Sequence, residues 1–592
     1  MAIENQLKGG EFLIKDATLD QIFTPEELNE EEIMVRQMAS DFMEKEVMPK
    51  SKEIENKVEG VTTGLLEKSG ELGLLGTAIP AEYGGMEQGV IAGCIIAEQA
   101  GRTGSFATSF VAHTGIGTLP ILYFGTEEQR KKYLPGLASG ELKASYCLTE
   151  PGSGSDALGA KTTATLSADG KEWILNGQKM WITNAGFADV FTVFAKIDGK
   201  EFTGFIVEKG TPGLSLGAEE DKMGIHGSST RQVFFENCHI PVENLLGERG
   251  KGHLIAFNIL NIGRYKLGAT ALGGARQAFN MAVSYANERH QFNVPISSFG
   301  AMQYKIAEMA IRIFALEAMS YRCAKDIEDQ EGIFMQEGKN LSDSLLGAAE
   351  EFAIECSLLK VYGSEVLDYV VDENVQIHGG MGFSEELGAA RAYRDSRIAR
   401  IYEGTNEINR LLSVSQLIKR AMNGKLNIMS AAIAVSKELT SIPDFNTPEG
   451  LFGEEENSLK NAKKAILMVA GASAQKLGSK MKDEQEVIMN VADMLIEVYA
   501  AESLLARVKK IVNKQGEQES GVYLDILKVF FNDAVQKIAY FGRESLMGFA
   551  EGDELRMMLM GLKRYTKYPT VNTKEARRRI AARLIEANNY NL

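Results

Sequence analysis

The chain has 592 residues, enough for roughly three to four domains of ordinary size. Hydrophobic residues make up 44% and charged residues 24%, so sizeable buried cores are expected. The net charge of -16 argues against nucleic acid as a main partner, yet leaves room for an anionic small ligand in a locally basic pocket. The five cysteines are scattered and without CxxC spacing, which suits a reducing compartment. The six histidines show no HExxH spacing, and no metal site is expected. Met1 to Lys15 lacks a cationic region followed by an apolar run, and no apolar run approaches the length of a membrane span. A cytoplasmic location is expected.

In chain order, residues 1–25 read as an extension, and 26–145 as a helical domain. Thr24-Pro25-Glu26-Glu27 resembles a capping box at the start of its first helix. Helical spacing recurs over 64–74, 89–100, 107–124 and 127–138. From 146 to 250 the texture is short β-rich runs between turn signals such as Asp169-Gly170 and Asn176-Gly177, suggesting a small barrel or sandwich. Helical periodicity returns over 251–425, where four stretches (254–288, 301–326, 341–372 and 406–420) predict a four-helix bundle. Residues 426–457 read as a linker, with Pro443 and Pro448 in its polar part. Residues 458–592 read as a C-terminal helical domain. The fold class expected is α+β, mostly α.

Several motifs fail. Gly213-Leu214-Ser215-Leu216-Gly217 matches the hydrolase nucleophile elbow in letters, but it lies in β-rich territory with no helix after it. No phosphate loop and no Rossmann glycine pattern occur. What remains are Gly- and hydroxyl-rich segments at structural junctions. Tyr146 to Asp156 offers Thr149, Ser153 and Ser155 beside open glycines. Trp181 could wall a planar ligand with Thr183 at its edge, although a Trp in a barrel is more often plain core. Arg289 to Phe292 ends a long helix, and Gln376 to Phe383 ends another. Finally, Arg400 to Ile408 is a loop feeding a helix, with Thr405 or Asn406 as its cap. It holds Glu403, which alone would pass for a surface carboxylate.

In this order and spacing the segments resemble the signatures of the acyl-CoA dehydrogenases, from about residue 26 to 420. The closest branch is the very-long-chain type, which Phe299-Gly300 and the C-terminal extension favour. The resemblance implies FAD bound between the β domain and the bundle. Tyr146, Leu148, Thr149, Gly154 and Ser155 would lie along the flavin and the entering thioester, and Trp181, Ile182 and Thr183 at the isoalloxazine. Arg289, Gln291, Phe292 and Phe299 would hold the adenosine diphosphate half, with Gln376, Ile377, Gly379 and Gly380 contributed by a neighbouring subunit. Thr405, Asn406 and Glu407 would contact the cofactor at the start of the last bundle helix. Gly300 departs from the family, which often has Gln there.

The resemblance makes Glu403 the base that removes the α proton of an acyl-CoA while hydride leaves the β carbon for the flavin. Some relatives carry the base just before the Arg that matches Arg264; Gly263 stands there and cannot act. Asn261, Arg264, Ser155 and Gly404 would contact the substrate, and Thr108 and Ala112 would open the acyl pocket to longer chains. The implied activity is α,β-dehydrogenation of long acyl-CoA thioesters in fatty acid β-oxidation, with electrons passed to an electron-transfer flavoprotein. The expected assembly is a homodimer. Peripheral membrane contact would run through 427–435 and Arg577-Arg578-Arg579 with Arg583, against the plainer reading of packed helices. The rival functions are an acyl-CoA oxidase and a flavin-fold scaffold in a respiratory assembly.

Overall fold

Asn29, rather than Thr24, opens the first long helix. Thr24 and Glu27 do form a capping box, but it closes a single turn, Pro25–Glu27. The helix Glu30–Phe42 then starts anew with the Asn29 side chain accepting from the Glu32 N–H. The computed structural model describes residues 6–439, 441 and 449–592. The N-terminal layer continues with Val61–Glu71, Val90–Gly101, Ser105–Ala112 and Glu127–Ser139. The expected extension does not hang free. The Gly9 and Gly10 N–H groups donate to Glu351 and Glu355, and the Phe12 ring packs on Tyr499.

The β domain is an eight-stranded sheet: β1 Ala144–Cys147, β2 Thr163–Leu166, β3 Glu172–Thr183, β4 Val190–Ile197, β5 Glu201–Glu208, β6 Leu214–Glu219, β7 Thr230–Pro241 and β8 Leu245–Leu246. Their order is β6-β7-β3-β2-β4-β5-β8, with β1 parallel to β4. The Gly213–Gly217 stretch therefore resolves as an edge strand. Trp173, Phe191, Phe205 and Phe235 fill this domain's own core. The alternation that puts Trp173 inside breaks at Lys179/Ile182, where the register with β7 shifts, and Trp181 comes out on the other face.

The bundle forms as expected from Gly252–Glu288, Gly300–Gln336, Leu341–Glu351 with Ala353–His378, and Asn406–Met422. The third stretch is broken once, at Phe352. Residues 426–457 are not a plain linker. They contain the helix Ile428–Leu439, which packs on Gly453–Leu477, and the rest of the C-terminal part is Gln485–Gln515, Gly521–Phe549, Gly552–Tyr565 and Thr573–Ala587. Pro443 and Pro448 lie outside the described residues.

Buried charges tie these layers together. Arg507, 2% exposed, bonds Glu317 of the bundle and Glu26 of the N-terminal segment, each at 2.8 Å. Arg276 pairs with the same Glu317 and with Glu98, and Tyr321 donates to Glu98 at 2.7 Å. The two guanidiniums hold the Glu317 carboxyl well below the usual range despite its burial. Removing one member of such a network leaves an uncompensated buried charge. Arg507→Met is therefore expected to destabilise the protein by about 3 kcal/mol, the low end for a broken buried pair, because Arg276 still faces Glu317. Denaturant unfolding checks this; a shift no larger than that of an exposed Arg→Met control would refute it.

Candidate active site

Two consecutive left-handed residues shape the loop before Asn406–Met422: Glu403 at φ 57° and Gly404 at φ 79°. Only glycine takes that conformation without strain, so Gly404 is required by the backbone as much as by any ligand. Glu403 bears the strain, of order ~1 kcal/mol. The loop is held from both sides. The Asn409 Nδ2 donates to the Gly404 carbonyl at 2.9 Å and the Thr405 carbonyl at 3.0 Å. Lys360, wholly buried on Ala353–His378, donates to the Gly404 carbonyl and to Asn406 Oδ1, each at 2.8 Å. Thr405 is the cap, accepting from the Ile408 N–H. Asn406, expected at the cofactor, has its side chain committed to Lys360 and Ser364. Glu407 is exposed.

The Glu403 carboxylate occupies a notch that Gly263 leaves in the helix Gly252–Glu288. A Cβ on Gly263 would overlap Oε2 and stand 2.8 Å from Cδ. The glycine at the position of the rival base also makes the seat for the Glu403 carboxylate. Glu403 is half-buried as a residue, but Oε2 is shut off from solvent and has no hydrogen-bond partner. The Glu403 N–H also has no acceptor among the described residues. Arg264 lies beside it, its Nη1 on Asn261 Oδ1 at 2.6 Å and its Nε unpaired.

Burial pushes the Glu403 carboxyl up to about 7, against the pull of Arg264, Lys360 and Lys266. Burial equally depresses the Lys360 and Lys266 ammoniums to about 8. A base needs its carboxylate, which forms as pH rises through about 7. The acid limb of kcat/KM for thioester oxidation is thus expected near pH 7 rather than near 4.5, falling tenfold per unit below it. A profile flat down to pH 5 would contradict this placement. The protonated carboxyl is also the form the fold prefers, so its contribution to stability fades as pH rises through the same value.

A second group of expected residues lies around the β domain. Trp181 adopts φ 60° and is 53% exposed, so the plain core reading fails. Ile182 is buried beneath it, and Thr183 is half-buried. The strand is anchored by Lys179, fully buried, whose Nζ bonds Glu150 at 2.7 Å. Glu150 also accepts from the Thr162 N–H at 3.0 Å. This pair pins the loop that displays Thr149, Gly154 and Ser155. Gly154 and Ser155 are exposed, and a Cβ on Gly154 would meet nothing within 4 Å. Tyr146 is buried, edge-on to Phe194, and Leu148 is half-buried.

A third group gathers at the far end of Ala353–His378. His378 stacks on Tyr285 at 4.2 Å, bringing Gln376 and the open Gly379 and Gly380 beside the Arg289 turn. That turn is a two-residue hairpin whose Phe292 and Asn293 both have positive φ. Arg289, Gln291 and Gln376 are exposed, Phe292 is 87% exposed, and Ile377 is buried in the core. Phe299 meets Phe292 edge-on. Gln376 is sixteen residues along the helix from Lys360, a rise of about 24 Å, so this group does not serve the centre at Glu403 directly. Next to it, a Cβ on Gly300 would stand 3.3 Å from the Arg578 guanidinium of the C-terminal helix.

A cavity of about 310 Å³ opens beside this loop. Tyr402, the neighbour of Glu403, lines it with Thr108, Ala107, Gly274, Ala278 and Leu367. Ala112 is half-buried one turn beyond, where the helix widens into a π turn, His113–Gly117. The sequence reading missed Lys360, Asn409, Lys179 and Glu150. The signal was a Lys in the apolar run Leu358-Leu359-Lys360-Val361, which asks for a buried partner.

A planar aromatic face, exposed hydroxyl and guanidinium donors, open glycines and an unpaired buried carboxylate make a site that fits a flavin and a thioester. Four family models match the chain: acyl-CoA dehydrogenase N-terminal domain over 29–141, middle domain over 145–238, and two C-terminal domain models over 250–418 and 461–564. The protein belongs to the acyl-CoA dehydrogenase family, FAD-dependent oxidoreductases acting on acyl-CoA substrates. It is 48% identical over 583 residues to a probable acyl-CoA dehydrogenase of Bacillus subtilis (strain 168), covering 98% of each chain. It is 35% identical over 531 residues to the mitochondrial very long-chain specific acyl-CoA dehydrogenase of Rattus norvegicus, covering 84% of this chain and 78% of that one. A solved structure of acyl-CoA dehydrogenase complexed with FAD from Bacillus anthracis superposes with a TM-score of 0.96 at 46% identity, over 99% of this chain and 100% of that one.

Proposed function

We propose that the protein oxidises long-chain acyl-CoA thioesters to trans-2-enoyl-CoA in fatty acid β-oxidation, with Glu403 as the base and an electron-transfer flavoprotein as electron acceptor. The observation that carries it is the Glu403 carboxylate, unpaired in its Gly263 notch beside a cavity walled by small residues. Bound FAD supplies the acceptor for the β hydrogen and its electron pair. Glu403 takes the α proton, and its free N–H is available to the thioester oxygen, where charge develops. Arg264, Lys360 and Lys266 keep the carboxylate ionisable in a seat that burial would otherwise neutralise. Trp181 and the Tyr146–Ser155 loop hold the flavin face.

Long-chain preference rests on the cavity. Ala107, Gly274 and Ala278 leave room where larger side chains would stop a chain, and each further methylene buried contributes about 0.8 kcal/mol. A homodimer completes the cofactor site in this reading, because the Gln376–Gly380 corner lies too far from Glu403 in its own chain, and Phe292 and Phe383, both 87% exposed, are left for a partner copy. Membrane contact narrows to the helix Ile428–Leu439, which exposes Met429 and Ile433. Arg577 is buried on Glu308 and Asp533, and the exposed Arg579 is paired with Asp525, so two charges of that basic run are already partnered within the protein. Among the described residues, no helix is long and apolar enough to cross a membrane.

Anaerobic titration with saturated acyl-CoAs from four to twenty carbons tests the reading. Flavin bleaching is expected to strengthen with length past the medium chains. No bleaching with any chain would overturn it, and fast reoxidation of the product complex by air would favour an oxidase.

A further inference from the structure

The cavity beside Tyr402 carries charged groups in its lining. Arg391 and Asp395, one turn apart on the helix Ala389–Ser396, line the same cavity as Thr108 and Tyr402. Asp395 Oδ1 accepts from the Ile225 N–H, while Oδ2 receives no hydrogen bond and lies 3.3 Å from where Gly104 would carry a Cβ. Arg391 is half-buried, and its guanidinium has no hydrogen bond or ion pair among the described residues. Its neighbour Arg394 is paired with Glu385, and Arg102, at the same cavity, is taken up by Ser40 and Gln99. Although Arg391 and Asp395 are spaced to meet, no ion pair joins them. A half-buried cation and a carboxylate oxygen that receives no hydrogen bond thus face a cavity whose other lining mixes apolar groups with Ser51, Thr103, Thr108, Thr270 and Gln277.

A methyl terminus reaching this point would desolvate both groups and satisfy neither. A hydroxyl terminus matches the pair, because it donates to an acceptor and accepts from a donor. A terminal carboxylate matches Arg391 but meets Asp395 as a like charge. Resting on the proposed acyl-CoA dehydrogenase reading, we propose that this end of the cavity is a subsite for an oxygenated chain terminus, and that the protein takes ω-hydroxyacyl-CoA thioesters with the terminal hydroxyl bridging Asp395 and Arg391. The hydroxyl is a spectator. The two hydrogens still leave the α and β carbons.

The test is anaerobic bleaching kinetics of the FAD-loaded protein with matched pairs of methyl-ended and ω-hydroxyacyl-CoAs from eight to eighteen carbons, plus ω-carboxyacyl-CoAs. At the length that places the terminus at Arg391, the ω-hydroxy thioester is expected to match or exceed its methyl-ended partner in kcat/KM and to exceed the ω-carboxy form. Arg391→Leu is expected to lower the hydroxy-to-methyl ratio about tenfold or more, the effect of losing a charge-assisted bond. Asp395→Asn, which can keep the Ile225 bond, is expected to lower it less. The subsite is overturned if ω-hydroxy thioesters trail their partners at every length, or if Arg391→Leu moves both series alike. Failure of every methyl-ended thioester to bleach the flavin would instead sink the underlying dehydrogenase reading.

Discussion

Glu403→Gln keeps the FAD spectrum and acyl-CoA binding but lowers the rate of flavin bleaching by about a thousandfold or more, the upper range for loss of a general base. The amide has the shape of the carboxyl and fits the same notch, so the substitution removes the proton acceptor without disturbing its seat. Stability should not fall. The carboxyl is pushed up to about 7 by burial, so at neutral pH and above the wild-type protein carries the cost of a buried charge without a hydrogen bond on Oε2. The variant should melt no lower than wild type at pH 8. Stopped-flow bleaching under argon and a melting scan read both effects. Bleaching within tenfold of wild type would place the base elsewhere.

Gly263→Ala tests the seat rather than the base. The added methyl would overlap Glu403 Oε2 and crowd Oε1 at 3.0 Å, and the neighbouring helix backbone cannot retreat inside a packed bundle. The carboxylate must swing out of the notch. Displacing a reacting group by about 1 Å costs about a hundredfold in rate. That loss is expected with FAD content unchanged and with a stability cost of about 1–3 kcal/mol, usual for overpacking. Wild-type bleaching in this variant would show that the carboxylate does not work from the notch. The two substitutions differ in a useful way: one leaves geometry and removes chemistry, the other leaves chemistry and removes geometry.

The family was legible in the sequence because it rests on letters in order: Trp181-Ile182-Thr183, Gln376 to Gly380, and Tyr402-Glu403-Gly404-Thr405, the last of which also carries the proposal of Glu403 as base. The bundle was legible because helical spacing survives over long stretches. What escaped was decided by single backbone events. The register shift after Lys179 turns Trp181 outward, and no alternation pattern announces a bulge. The helix Ile428–Leu439 was read as linker because the prolines beyond it dominate the local composition. The clamp of Lys360 and Asn409 depends on contacts across 44 and 5 residues to one carbonyl, and nothing in either local stretch points to that oxygen. Arg577 reads as surface charge in sequence and is a buried partner of Glu308 in three dimensions.

The helix Gly252–Glu288 faces two ways. On one side Gly274 and Ala278 form a wall of the cavity beside Tyr402. On the other, Arg276 is gripped by Glu98 and Glu317, the latter also held by Arg507 more than two hundred residues downstream. That wall of the cavity is therefore braced from behind by the C-terminal helices, and in the proposed reading it is the wall an alkyl chain would press against. A ruler for chain length, if that wall is one, would owe its stiffness to helices more than two hundred residues downstream.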